Sequence, residues 1–196
     1  LMCAVQGFFL EYLNLYVILS CLLNNNNALG VPFLYHGVDL LLRDHVKVIS
    51  YYTFKVQGTE LNFFEENSLN YLKNCKEKYD IILIDGDHNY PTVSKECKYI
   101  RDIMNSKDSL IIFDDYAGRW SSRDLYYQDR EEYLQNDKFV SLNRENNKKG
   151  VAPAVDEFLE NNKDMKSFTL MKGEPICIVQ KDNEIIQIEN NQIMLS

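Results

Sequence analysis

Short apolar runs and longer amphipathic stretches alternate along most of the chain, the pattern of β-α units stacked around a mostly parallel sheet. The runs "IILID", Ile81 to Asp85, and "LIIFD", Leu110 to Asp114, are continuous, as central parallel strands buried on both faces are. Further strands are predicted at Phe8 to Glu11, Phe33 to Val38 and Asn62 to Phe64. Helices are predicted between them at Tyr12 to Leu23, Leu41 to Lys55, Ser68 to Lys78 and Pro91 to Met104. In the last of these Pro91 stands near the first turn, and Val93, Cys97, Ile100 and Met104 share one face. "GVAPAVDEFLENN" predicts one more helix, from Ala154 to Glu160. "FTLMKGEPICIVQ" reads as two strands joined tightly around Lys172 to Pro175, an antiparallel hairpin. Beyond Gln180 the polar sequence predicts no element.

A chain of 196 residues is one domain by default, large enough to bury a full core. The expectation is therefore a single α/β sandwich over residues 1 to 196. The segment Tyr116 to Lys149 is too polar for core yet carries Trp120, Tyr126, Tyr127, Tyr133 and Phe139. It directly follows a strand's carboxyl end, where α/β enzymes keep substrate-covering elements, and is read as a lid. The opening stretch to Leu23 is apolar, but Gln6, Glu11 and Asn14 interrupt it and no basic residues precede it. It reads as buried core, with no membrane partner.

Charge narrows the function classes. A net charge of -8 and a pI near 4.9 exclude a general binder of phosphate backbones, whose affinity is built from lysine and arginine. Nucleic acid is not an expected partner. Cys3, Cys21, Cys75, Cys97 and Cys177 are scattered and form no Cys-x-x-Cys pair, so neither a zinc site nor a disulfide framework is indicated, and a reducing compartment, the cytoplasm, fits. The oligomeric state is open.

In open α/β sheets the ligand sits beyond the carboxyl ends of the strands. Acids stand at three such ends: Asp39 in "GVD", Asp85 in "LIDGDH", and Asp114 with Asp115 in "IFDD". Carboxylates crowded on one rim repel unless a cation or a hydroxyl-rich ligand answers them. Asp85, Asp114 and Asp115 together suit a hard divalent ion such as Mg²⁺. His88, three residues after Asp85, is close enough to share that site and can take up a proton near neutral pH. Asp87, beside Gly86, reads as a turn residue. His36 and His45 read as structural or exposed.

Taken in order, "YDIILIDGDHNY", "LIIFDDY" and "GVAPAVDEFL" resemble the class I S-adenosylmethionine-dependent methyltransferases, in the branch carrying an IDGDHxY motif and similar to metal-dependent O-methyltransferases. The resemblance covers roughly Phe33 to Gln180. It implies a Rossmann-like class I methyltransferase sandwich, a mostly parallel sheet closed by a C-terminal antiparallel hairpin. It further implies S-adenosylmethionine as methyl donor, Mg²⁺ as a metal, and a small hydroxylated acceptor such as a sugar, polyketide or catechol-like compound. By the same resemblance Asp39 holds the donor's ribose hydroxyls, and Asn67 and Ser68 border its adenine. Asp85 serves both donor and metal, Asp114 and Asp115 complete the metal site, and His88 takes the acceptor's proton.

The chain departs from the family at the donor loop, whose form is acid-x-Gly-x-Gly-x-Gly. The best candidate acid is Glu11, followed by "YLNLYVI" with no glycine. Either the family's loop is missing from or altered in this sequence, or donor binding is reshaped or lost. Two other readings therefore stand beside the enzyme: a degenerate methyltransferase fold serving as a binding module, and a nucleotide-sugar glycosyltransferase using Asp85-Gly86-Asp87 as a DxD motif.

Overall fold

The computed structural model describes residues 2–6, 34–40, 60–125, 147–169, 176–181, 186–189 and 192–195. Its main sheet contains five parallel strands, β1 (Met2–Gln6), β2 (Leu34–Asp39), β3 (Glu60–Glu65), β4 (Ile81–Asp85) and β5 (Leu110–Phe113). Three helices are described: α1 (Ser68–Asn74), α2 (Tyr90–Ile100), continued by a 3₁₀ turn at Arg101–Ile103, and α3 (Ala152–Asn161). β6 (Met165–Thr169) and β7 (Ile176–Gln180) form an antiparallel pair, and β7 joins the sheet antiparallel to β5. The resulting order is β3-β2-β1-β4-β5-β7-β6. A separate antiparallel pair, β8 (Ile186–Glu189) and β9 (Gln192–Leu195), follows where the sequence reading placed no element. Its signal was present in the alternation of Ile186, Ile188, Ile193 and Leu195 on either side of Asn190-Asn191.

The first described strand precedes the one that the apolar pattern predicts. Met2–Gln6 lies at the centre of the sheet, in register with β2 through Val5 and Val38 and with β4 through Gln6 and Asp85. Glu11 falls beyond its end and so does not close the first strand, and Phe8 to Glu11 lie outside the described residues. "MCAV" and "FFL" are both short apolar runs, and periodicity alone does not choose between them; pairing with two neighbours does. β1 closes at Gln6, and the next residue in the sequence is Gly7, a glycine that a reading from Glu11 lacked.

Other boundaries shift for local reasons. β3 spans Glu60 to Glu65, not only Asn62 to Phe64. α1 stops at Asn74, short of Lys78, because the Asn74 side-chain amide donates to the Asn70 carbonyl and Cys75 turns extended. α2 tightens into its 3₁₀ turn and ends before Met104, which is held extended by a parallel bridge to Tyr79. The predicted helices at Tyr12 to Leu23 and Leu41 to Lys55, the turn at Lys172 to Pro175, His45, and residues 126–146 of the expected lid lie outside the described residues.

Alternation along β4 and β5 sorts the core. Ile82 and Ile84, with Ile111 and Phe113, pack against Val93, Cys97 and Ile100 of α2 and Val155 and Phe158 of α3. Leu83 and Ile112, equally buried, face the other side of the sheet. His36 is structural. It is buried on β2, where its Nδ1 lies 2.6 Å from the Tyr71 hydroxyl and 2.7 Å from the Tyr79 hydroxyl, and burial lowers its pKa.

The first residues after β5 are tied to the start of α3: the Val151 amide donates to the Trp120 carbonyl and the Ala152 amide to the Ser121 carbonyl. Gly150 makes this approach possible at φ +77°, where an added Cβ would stand 2.4 Å from the Trp120 carbonyl oxygen and 2.5 Å from that of Ser121. Gly150→Ala is expected to lose about 3 kcal/mol of unfolding free energy from strain plus backbone overlap. Urea denaturation checks this, and a loss below about 1 kcal/mol would show that the turn yields.

Candidate active site

Five strands run parallel, so their carboxyl ends share one rim, and β1 and β4 lie side by side where the order of connection reverses. Asp85 closes β4 and Asp114 follows β5. Ile84 pairs with Phe113, and the Asp114 amide donates to the Ile84 carbonyl over 3.0 Å, so the two aspartates are the next rung of the same ladder. Side chains alternate, which puts Asp85 with Leu83, and Asp114 with Ile112, on the face away from α2 and α3. Parallel pairing alone therefore brings these two acids together.

Asp115 adds a third acid by an unusual backbone. It adopts φ +52°, a left-handed conformation that costs a non-glycine residue about 1 kcal/mol or more and that aspartate tolerates better than most. An added Cβ on Gly118 would lie 2.0 Å from Asp115 Oδ1, so only glycine at 118 leaves the carboxylate its place. His88 arrives from the turn after β4. Its Nε2 stands 3.8 Å from Asp85 Oδ1, 3.8 Å from Asp114 Oδ2 and 3.3 Å from Asp115 Oδ2. Asp85, His88 and Asp114 are all buried, and one ligand atom from each lies within 4.8 Å of the others. Burial, then the charges of Asp114 and Asp115, push the Asp85 carboxyl well above the ordinary range.

Asp39 closes β2 opposite Glu65, and the Glu66 amide donates to its carbonyl; its charge also bears on Asp85. Asn67 caps α1, its side-chain oxygen accepting from the Leu69 amide, and Ser68 is the first helical residue. Asp87 stands apart from the cluster. Asn89 Nδ2 and Thr92 Oγ1 donate to its two oxygens, each over 2.5 Å, which makes it the anchor of the turn into α2. The chain thus brings Asp85, His88, Asp114 and Asp115 together, places Asp39 at the end of β2 and Asn67 and Ser68 at the start of α1, and leaves Glu11 outside the described residues.

The sequence reading missed two residues here. Gln6 closes the central strand beside Asp85, hidden by the misplacement of β1. Glu96 is 0% exposed on α2 and accepts a 2.6 Å hydrogen bond from Ser68 Oγ. Its signal was a carboxylate three residues after Val93 and four before Ile100, set into the apolar stripe of the helix.

Burial pushes the Glu96 carboxyl up to about 7, helped by Asp87 and opposed by the Ser68 bond and by His88. In the unfolded chain it titrates near 4.5, so between those values the fold holds the extra proton and loses stability as pH rises. The cost is absent below 4.5 and complete above 7, where it reaches about 3 kcal/mol. Glu96→Gln is therefore expected to gain about that much on the native protein between pH 4.5 and 8. An equal stability difference at both pH values in urea unfolding would refute the assignment.

A parallel sheet of order 3-2-1-4-5 extended by an antiparallel seventh strand, with its acids at the switch-point rim, defines the class I methyltransferase architecture. The sequence profile of the family described as "Methyltransferase domain" matches residues 15–116, just over half of the chain. The chain belongs to that family and is a class I S-adenosylmethionine-dependent methyltransferase. Two solved structures are similar to it. The SAH-bound methyltransferase PaMTH1 of Podospora anserina is 19% identical, with a TM-score of 0.47 over 92% of this chain and 72% of that one. A Klebsiella pneumoniae protein provisionally designated an O-methyltransferase is 13% identical, with a TM-score of 0.46 over 89% of this chain and 83% of that one. No curated protein matches the chain in sequence. Among the described residues no helix is long and apolar enough to cross a membrane.

Proposed function

We propose that the chain transfers a methyl group to an oxygen of a small hydroxylated acceptor, with a divalent ion such as Mg²⁺ held by Asp85, Asp114 and Asp115. The observation that carries this reading is the gathering of three carboxylates around one imidazole nitrogen, each with an oxygen 3.3 to 3.8 Å from His88 Nε2, at the carboxyl-end rim of the sheet. The donor set fits a hard cation. Asp85 Oδ1 and Asp114 Oδ2 are buried with no hydrogen-bond partner among the described residues, and carboxylate oxygens are the ligands such ions prefer. When bound, the ion supplies Lewis acidity that lowers the acceptor hydroxyl's pKa.

The chain's own residues perform the rest. Asp39 faces the ribose hydroxyls of S-adenosylmethionine, and Asn67 and Ser68 border its adenine. These contacts hold the sulfonium methyl in line with the acceptor. His88 Nε2 takes the hydroxyl proton. The acceptor oxygen bonds to the methyl carbon, the carbon–sulfur bond breaks with its electrons going to sulfur, and S-adenosylhomocysteine leaves.

A DxD glycosyltransferase has less support, because Asp85 and Asp87 part company: one joins the cluster and the other is bound by Asn89 and Thr92. The binding-module reading is favoured by one feature, the bulky Phe8, Phe9 and Leu10 directly after Gly7. Titration of S-adenosylhomocysteine with and without Mg²⁺, followed by thermal unfolding, decides. A rise in melting temperature supports the enzyme. No rise with either present would leave the binding module.

A further inference from the structure

Glu96 belongs to none of the roles above, yet it is the one glutamate among the described residues that is fully buried. Its partner is Ser68, the half-buried first residue of α1. The hydrogen bond between them has a direction: Ser68 Oγ donates to Glu96 Oε1 over 2.6 Å. A serine hydroxyl has one proton and two acceptor lone pairs. Glu96 accepts whether it is ionised or protonated on Oε2, because Oε1 keeps its lone pairs in either form. The second oxygen, Oε2, is buried with no hydrogen-bond partner among the described residues, a costly arrangement that a passive core position would not keep.

We infer that Glu96 is a positioning residue that commits the only proton of Ser68 inward and so presents its hydroxyl to the methyl donor as an acceptor alone. A ligand group meeting Ser68 must then donate. The exocyclic amine of adenine does so, whereas the 6-oxo group of hypoxanthine presents lone pairs to lone pairs. Glu96 thereby selects an aminopurine donor at a distance from it. This rests on the reading of Ser68 as a neighbour of the adenine.

The test compares S-adenosylhomocysteine with its hypoxanthine counterpart, S-inosylhomocysteine, by isothermal titration calorimetry on the full chain. The native protein is expected to prefer the amine by about tenfold or more, the usual worth of one hydrogen bond in a half-buried site. Glu96→Met removes the acceptor at similar volume and frees the Ser68 proton, and the preference is expected to collapse to near unity. Ser68→Ala should do the same, and the double variant should do no more than either, which a general loosening of α2 would not reproduce. If Glu96→Met does not fold, Ser68→Ala decides alone, since an unchanged preference there overturns the inference. An unchanged preference in a folded Glu96→Met overturns it too. Failure of the native protein to bind S-adenosylhomocysteine at all would instead remove the methyl-donor reading on which this one rests.

Discussion

His88→Ala is expected to lower kcat by about 10² to 10⁴-fold while the dissociation constant of S-adenosylhomocysteine stays unchanged, the range expected when a positioned general base is lost. His88 is 4% exposed and its Nε2 faces three carboxylates at 3.3 to 3.8 Å, so truncation empties a walled space beside them. Added imidazole should enter that space and restore part of the rate, which a purely structural role would not allow. Single-turnover kinetics with and without imidazole make the measurement. Undiminished turnover in the variant removes His88 from the mechanism.

The second large effect belongs to the acids. Asp114→Asn is expected to cut turnover by about a hundredfold or more, because an amide oxygen is a neutral and weaker ligand for a hard cation. Removing one charge also relieves the crowding that holds the Asp85 carboxyl so far up. In chelator the variant should therefore be more stable than the native chain, by about 1 kcal/mol, the trade of stability against function usual at active sites. Mg²⁺ should raise the melting temperature of the native chain and leave that of the variant in place. Equal Mg²⁺ responses and equal rates would show that Asp114 is not a ligand.

Much of this site was legible in the residues, and the limits have physical causes. "IILID" and "LIIFDD" announced central strands because a strand buried on both faces must be apolar throughout, and the acids at their ends stood out against that background. The edges of helices were less legible, because α1 stops where the Asn74 side chain competes for a backbone carbonyl, a matter of one local bond. The strand at residues 2–6 went unread because five residues carry little periodicity, and its place is assigned by the strands on either side. Glu96 went unread because its meaning depends on Ser68, 28 positions away in sequence and 2.6 Å away in space.

The order of apolar and polar residues by itself determined an α/β layering, the identity of the acids that end β2, β4 and β5, and the motif that ties the chain to methyltransferases. These are local properties, set by which side chains water rejects and which turns a backbone accepts. Tertiary structure alone decided that Asp85 and Asp114 share a rung and a face and that Asp115 turns left-handed to meet them under Gly118. Distances across a sheet depend on register between strands far apart in the chain. No short stretch of residues encodes that register, and it exists only once the strands have paired.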